Sequence, residues 1–143
     1  AAPERHVQEF QSGLAYARSQ PFASGDRVGM VGFCFGGGVT WRVAAAVRDL
    51  RAAVPFYGVP VQEADVGGIG AAVLAIYAAK DERINKNIPA IEAAMQKHGK
   101  TFSKIVYRGV DHAFHNDAGA RYNAVAAKAA WGETLAWFGK YLA

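Results

Sequence analysis

The chain has 143 residues, of which 52% are hydrophobic and 20% are charged, a composition typical of one globular domain with a sizeable core. Lys and Arg outnumber Asp and Glu by 16 to 12, but the cations are scattered and form no basic stripe, so we expect no nucleic-acid partner. A single cysteine excludes an internal disulfide, and no apolar run approaches the roughly 18 residues of a membrane span, so we expect no membrane partner.

We expect a single domain over residues 1–143, complete or partial. The first ten residues, AAPERHVQEF, contain no apolar core of a signal peptide, which favours the cytoplasm. The sequence does not begin with Met, so processing, and with it a periplasmic or exported location, stays open.

Four short apolar segments, each followed by glycine or polar residues, predict β-strands. They are residues 27–33, 52–58, 71–78 and 103–109. Nearly continuous apolar strands that alternate with helical patterns are typical of a parallel sheet covered on both faces. The predicted fold class is therefore α/β, with a parallel sheet of about four strands flanked by helices.

Helical spacing of apolar residues predicts the elements around these strands. Residues 3–18 form a first helix, and the glycines after residue 34 begin a second that ends near Arg48. A third helix has one apolar face and Pro89 in its first turn; that face consists of Ile84, Ile88, Ile91 and Met95. The last helix is predicted to direct inward Trp131, Leu135, Phe138 and Leu142.

Three residues with catalytic chemistry follow three different predicted strands. Cys34 follows the first strand, Asp81 the third and His112 the fourth, and in a parallel sheet the carboxyl ends of the strands meet at one edge. The order nucleophile, acid, histidine is that of the α/β-hydrolase arrangement. In this interpretation Cys34 attacks a carbonyl carbon, His112 moves the proton and Asp81 orients the histidine.

The residues around Cys34 match the pattern G-x-C-x-G, in which a strained strand-to-helix turn presents the nucleophile. Gly32 and Gly36 would then be required because a side chain at either position would obstruct the turn. The Phe35 N–H, at the start of the new helix, is the candidate oxyanion donor. A buried structural cysteine in a glycine-rich loop is the alternative, while a phosphate-binding loop does not fit because the stretch lacks the required Lys-Ser/Thr.

The acid and the histidine also have simpler interpretations. Asp81 could be simply the cap of the next helix. The acid would then be Glu82 or, less favourably, Asp111. His112 and His115 could form a loose metal pair with Asp111 or Asp117, although no third ligand with motif spacing supports a metal site.

Taken together, the segments GFCFGGG, AAVPFYG, KDERI, DHAFHND and YNAVAAKAAWGETLAWFGKYL resemble the dienelactone hydrolase family, also called carboxymethylenebutenolidase-like enzymes, within the α/β-hydrolases. The resemblance implies hydrolysis of a lactone or small ester through an acyl-cysteine intermediate. It implies Cys34, Asp81 and His112 as the triad and the Phe35 N–H as an oxyanion donor. It implies no metal and no organic cofactor.

Two departures from the family pattern matter. Family members that act on carboxylated dienelactones have an arginine shortly after the histidine, and here Asn116 occupies that position. The resemblance also covers only the second half of the family fold, so early strands and a second oxyanion donor are not represented. The strand near residues 28–32 would then have an unpaired edge, and we expect a homodimer, a strand-swapped oligomer or pairing with a separate first half.

Further candidates for the substrate pocket are Tyr57, Arg83 and Phe114. The glycines at 36–38 could be present only to allow close packing of the second helix on the sheet. We expect this of at least two of the three. Two other function classes stay open: a non-catalytic α/β module, and a thiol redox module that would need a partner cysteine.

Overall fold

A computed structural model describes residues 3–143. Its elements, in chain order, are α1 (Pro3–Ser19), β1 (Gly29–Phe33), α2 (Phe35–Ala46), β2 (Ala52–Phe56), α3 (Glu63–Val66), β3 (Ala72–Ala78), α4 (Glu82–Asn85), α5 (Ile88–Lys97), β4 (Phe102–Tyr107) and α6 (Ala124–Tyr141). Within this range no helix has both the length and the apolar character needed to cross a bilayer. The extent of the domain and the cytoplasmic location stay predictions.

The four strands form one parallel sheet in the order β1-β2-β3-β4. Successive residues of β3 alternate between two apolar cores: Val73 and Tyr77 pack with α2, α4 and α5 on one face, and Leu74 and Ile76 pack with α6 on the other. Helices on both faces bury β2 and β3 completely, as the continuous apolar runs predicted. The predicted α/β fold class is confirmed.

The helix predicted around residues 84–95 is two helices rather than one. α4 ends at Asn85 and α5 begins at Ile88. The Asn87 side chain donates to the Ile84 carbonyl at 3.0 Å, and Pro89 lies in the first turn of α5, where its missing N–H costs no helical hydrogen bond. The apolar face survives the break, because Ile84, Ile91 and Met95 are all buried.

The inner face predicted for the last helix is wrong in two of its four positions. Trp131 is 39% exposed and Leu135 54% exposed. The buried positions of α6 are instead small side chains: Ala126, Ala127, Ala130 and Thr134. Small side chains let the helix approach the sheet closely, and farther along it Trp137 Nε1 donates to the Ala72 carbonyl at 3.0 Å.

One glycine of the G-x-C-x-G pattern has a clear steric reason. A Cβ at Gly32 would lie 2.2 Å from the Gly36 carbonyl oxygen and 2.4 Å from Thr40 Oγ1. A Cβ at Gly36 would have no neighbour within 4 Å among the described residues. The prediction that position 36 requires glycine is therefore wrong. Of the glycines at 36–38 only Gly37 is tightly packed, with its Cβ position 2.4 Å from the Phe56 carbonyl oxygen.

Gly32 and Gly36 provide a matched test. We expect Gly32→Ala to lower the free energy of unfolding by at least about 3 kcal/mol, because backbone must move to admit the methyl group. Gly36→Ala should leave it unchanged or raise it by about 0.5–1 kcal/mol, because alanine is the better helix former. Urea denaturation followed by circular dichroism measures both, and equal effects of the two substitutions would contradict the packing described.

Candidate active site

Cys34 occupies a strained turn between β1 and α2. Its backbone has φ 57° and ψ −117°, a region that side-chain-bearing residues rarely adopt. Its N–H donates to the Phe56 carbonyl at 3.0 Å, and its carbonyl accepts from the Gly38 N–H at 3.2 Å. The turn is therefore tied to both β2 and α2, and it leaves the thiol exposed.

His112 connects Cys34 to Asp81. Its Nε2 lies 3.0 Å from Cys34 Sγ, and its Nδ1 lies 2.5 Å from Asp81 Oδ2. Asp81 is only 5% exposed, so its carboxylate is held away from water. The structure brings the three predicted residues into one hydrogen-bonded chain, although they are separated by 47 and 31 positions in the sequence.

Asp81 both caps a helix and contacts the histidine, so the two interpretations of this residue are compatible. Its Oδ1 accepts from the Ile84 N–H at 3.3 Å at the start of α4, and its Oδ2 contacts His112. Glu82 is exposed. Asp111 instead accepts from the backbone N–H of His112 at 2.6 Å, so it orients the loop rather than the ring.

Backbone strain is concentrated around this chain of hydrogen bonds. In residues 3–143 the non-glycine residues with positive φ are Cys34, Tyr57 and Ala113. Ala113 follows His112 directly, and the Tyr57 ring packs against the His112 ring with centroids 4.9 Å apart. Strained conformations persist only where the surrounding structure compensates for them, and they cluster at functional sites.

Tyr57 contributes a protonated hydroxyl to the site. Burial raises the pKa of the Tyr57 phenol to about 12; a backbone hydrogen bond from His115 acts in the opposite direction, and the nearby Cys34 adds a smaller upward effect. The side chain is 2% exposed. Its hydroxyl therefore stays a hydrogen-bond donor throughout the neutral pH range.

Two cavities border Cys34. The first, which we call the arginine cavity, has a volume of about 200 Å³ and is lined by Cys34, Phe35, Gly38, Arg42, Tyr57, Val59, Arg83 and Ile84. The second, which we call the histidine-loop cavity, has a volume of about 350 Å³ and is lined by Phe33, Cys34, Tyr57, Ala113, His115, Asn116 and Asp117. Tyr57 and Arg83 therefore lie where the sequence placed them, beside Cys34.

Phe114, the third predicted pocket residue, does not line either cavity. It is 0% exposed and packs in the apolar core with Phe56, Tyr57 and Tyr107. The sequence suggested a pocket because Phe114 lies two residues after His112. The left-handed conformation of Ala113 accounts for the difference, because it redirects the chain so that Phe114 turns into the core.

Arg42 lines the arginine cavity and was not singled out from the sequence. It lies on α2 eight residues after Cys34, and the helical steps from 34 to 38 to 42 place these positions on one face. That spacing was the available signal. The strand-end criterion used for the other residues does not detect a side chain two helical turns from the strand.

The oxyanion candidate is positioned at the start of α2. Phe35 is the first residue of this helix, so its N–H has no acceptor within the helix. Its side chain is 61% exposed. The N–H is thus available near Cys34, while the ring forms part of the cavity wall.

The metal alternative finds no support in the described part of the chain. Among residues 3–143 no group of three or more His, Cys, Asp or Glu side chains is arranged to hold a metal ion. His115 instead packs on aromatic rings, with centroids 5.0 Å from Phe33 and 6.0 Å from Trp131.

Comparison with known proteins identifies the family of this chain. Residues 1–142 match the model of the dienelactone hydrolase family. The chain belongs to the dienelactone hydrolase family. The resemblance inferred from the sequence motifs is therefore confirmed for the family.

Individual relatives are similar over most of this chain. A "Putative carboxymethylenebutenolidase" of Methylorubrum extorquens is 32% identical over 146 residues, which cover 94% of this chain and 50% of the relative. A protein of the same description from Saccharolobus solfataricus is 35% identical over 129 residues, covering 90% of this chain and 49% of the relative. The crystal structure of a "Putative Dienelactone Hydrolase" from Klebsiella pneumoniae has a TM-score of 0.87 and 31% identity, covering 94% of this chain and 60% of that one. The chain thus spans about half the length of these curated relatives.

Titration of Tyr57 gives a test of the site's polarity. Because its pKa is near 12 in the folded protein and 10.0 is its ordinary value, the unfolded chain ionises first as pH rises. Stability from this group is therefore complete below pH 10 and is lost between pH 10 and 12. We expect wild type to lose about 1 kcal/mol more than Tyr57→Phe between pH 9 and pH 11 in urea denaturation. Equal losses would show that the Tyr57 hydroxyl is solvated.

Proposed function

We propose that the protein is a hydrolase that cleaves small lactones or carboxylic esters through an acyl-Cys34 intermediate. The single observation that carries the proposal is the chain of contacts from Cys34 Sγ through His112 to the buried Asp81 carboxylate, at 3.0 Å and 2.5 Å. Membership of the dienelactone hydrolase family supports it. This geometry suits a nucleophile, a general base and an orienting acid.

Acylation follows from these positions. The Cys34 thiol proton passes to His112 Nε2 while Sγ attacks the substrate carbonyl carbon, giving a tetrahedral oxyanion. The Phe35 N–H donates to that oxyanion. The carbon–oxygen bond to the leaving group then breaks, and the proton on Nε2 passes to the leaving oxygen, which gives an alcohol or, from a lactone, the free hydroxyl of the same molecule.

Deacylation repeats the proton transfers with water. His112 Nε2 takes a proton from a water molecule while the oxygen of that water attacks the thioester carbonyl carbon. The carbon–sulfur bond breaks, the carboxylic acid product forms, and the proton returns to Sγ. Asp81 accepts a hydrogen bond from Nδ1 throughout, which selects the tautomer with a free Nε2 and stabilises the charged imidazole.

The other function classes fit the structure less well. A purely structural cysteine is normally buried, whereas this thiol is exposed and contacts a histidine. A redox module would need a cysteine from another molecule, because this chain has a single cysteine. A non-catalytic module gives no reason for three strained residues and a buried carboxylate at one strand edge.

The nucleophile is tested with p-nitrophenyl acetate. We expect wild type to release p-nitrophenol with a transient mass increase of one acetyl group, and Cys34→Ala to lose both. Asp81→Asn should lower the rate by about 10²- to 10⁴-fold, because the histidine loses its orienting partner. Release is followed by absorbance, and the adduct by intact-mass spectrometry.

Glu82→Gln is the matched control, since it removes the neighbouring carboxylate, which is exposed. Its rate should stay within about twofold of wild type. Equal background rates in wild type and Cys34→Ala, with no adduct, would mean that the arrangement survives without the activity.

We also propose that the outer edge of β1 pairs with another strand. Among residues 3–143, β1 is hydrogen-bonded to β2 alone, and its residues are mostly half-buried. An unpaired apolar edge of this kind promotes association. The additional strand would come from a second copy of the chain, or from another segment that supplies the first half of the fold.

Light scattering at tens of micromolar tests this association. We expect a species of twice the chain mass, or larger, that dissociates on dilution, because pairing covers the β1 edge. Amide hydrogen exchange of β1 provides the control, since its protection should fall as the oligomer dissociates. A strictly monomeric protein at these concentrations would contradict association between copies.

A further inference from the structure

We propose that Arg42 and Arg83 form an anion-binding subsite beside Cys34, which selects substrates with a negatively charged acyl group. The inference rests on the proposed function, because it assigns the charge of the substrate that reaches the same cysteine. The two arginines come from α2 and α4, and both line the arginine cavity.

Arg42 is held with an unused hydrogen-bond donor. Its Nη1 is buried and has no hydrogen-bond partner in the described residues. Its Nη2 lies 3.8 Å from the position that a Cβ would take at Gly38, one helical turn from Cys34. A buried guanidinium donor without a partner is costly, and an anion in the cavity would offset this cost through its opposite charge.

Neither arginine is neutralised within the described part of the chain. None of the ion pairs among residues 3–143 includes Arg42 or Arg83. The arginine cavity also has no Asp or Glu in its lining. On its other side Arg42 borders a separate groove that contains Asp65, but the two do not form an ion pair.

The two cavities beside Cys34 have opposite electrostatic character. The histidine-loop cavity contains Asp117 and no Lys or Arg, so it disfavours an anion. It is also bordered by the loop that follows His112, the residue that protonates the leaving oxygen. The acyl part of the substrate is therefore assigned to the arginine cavity and the leaving group to the histidine-loop cavity.

This placement differs from that of family members with an arginine shortly after the histidine. The position shortly after the histidine, where an arginine would bind a substrate carboxylate, is Asn116, and it lines the histidine-loop cavity. Positive charge is supplied instead in the arginine cavity, by Arg42 and Arg83. Guanidinium groups suit this role because they bind carboxylates with two parallel hydrogen bonds.

The first test uses two alkylating reagents of the same size, iodoacetate and iodoacetamide. Each forms a carbon–sulfur bond with Cys34 and releases iodide, and they differ in charge. The measured quantity is the ratio of their rate constants, from intact-mass spectrometry. We expect Arg42→Gln and Arg83→Gln each to lower the iodoacetate/iodoacetamide ratio by about two- to fivefold, because each removes one attractive charge.

Arg48→Gln is the matched control, since it makes the same change on an exposed residue after the end of α2 and should leave the ratio unchanged. Arg42→Lys keeps the charge and should preserve most of the ratio, which separates charge from packing if Arg42→Gln is poorly folded. An unchanged ratio in both glutamine variants would overturn the subsite.

A second test separates the subsite from the hydrolytic function, using mono-4-nitrophenyl adipate and its neutral methyl ester. We expect a kcat/KM preference for the anionic ester that falls by about two- to fivefold in each glutamine variant. Cys34-dependent hydrolysis of both esters without that preference would overturn the subsite and leave the function standing. No Cys34-dependent hydrolysis of either ester, with an arginine-dependent alkylation ratio, would overturn the function and support the subsite.

Discussion

The close packing of the first turns of α2 against the ends of β1 and β2 is the constraint on which the site depends. Gly32 leaves room for the Gly36 carbonyl and the Thr40 hydroxyl, and Gly37 approaches the Phe56 carbonyl and Gly58. Backbone lies against backbone here, so the chain must reverse within one residue. That residue is Cys34, whose N–H is bonded to the neighbouring strand. The strained conformation is stabilised by contacts on both sides, and the thiol is presented at the strand edge.

The remaining site residues also lie at strand ends, and contacts with neighbouring helices and strands hold them in place. Asp81 is fixed because one carboxylate oxygen caps α4 while the other contacts His112. Tyr57 covers the histidine ring, and its own backbone is tied to β3 through the Ile76 carbonyl at 2.7 Å. Each group is therefore preorganised, as the proposed reaction requires when charge develops on a substrate.

Strand-end reasoning located the residues whose place in the site depends on where a strand ends. Cys34, Asp81 and His112 each follow a strand, and parallel topology brings strand ends together whatever lies between them. It was wrong for Phe114, because the positive φ of Ala113 turns the next side chain into the core. It did not find Arg42, which reaches the site along a helix. The prediction of the inner face of α6 was also wrong at Trp131 and Leu135, since alanines at the interface allow closer packing than these larger apolar side chains would.

The α/β class and the four strands are predictable from the sequence because they depend on local periodicity and glycine placement. Strand order predicts that Cys34, Asp81 and His112 come together. The family follows from the resemblance of the sequence motifs. Tertiary structure alone decided which glycines are sterically required, where the helix around Asn87 breaks, and how charge is divided between the two cavities. The physical reason is that these properties arise from distances between residues that are remote in sequence. A pattern along the chain contains no such distance until packing sets it.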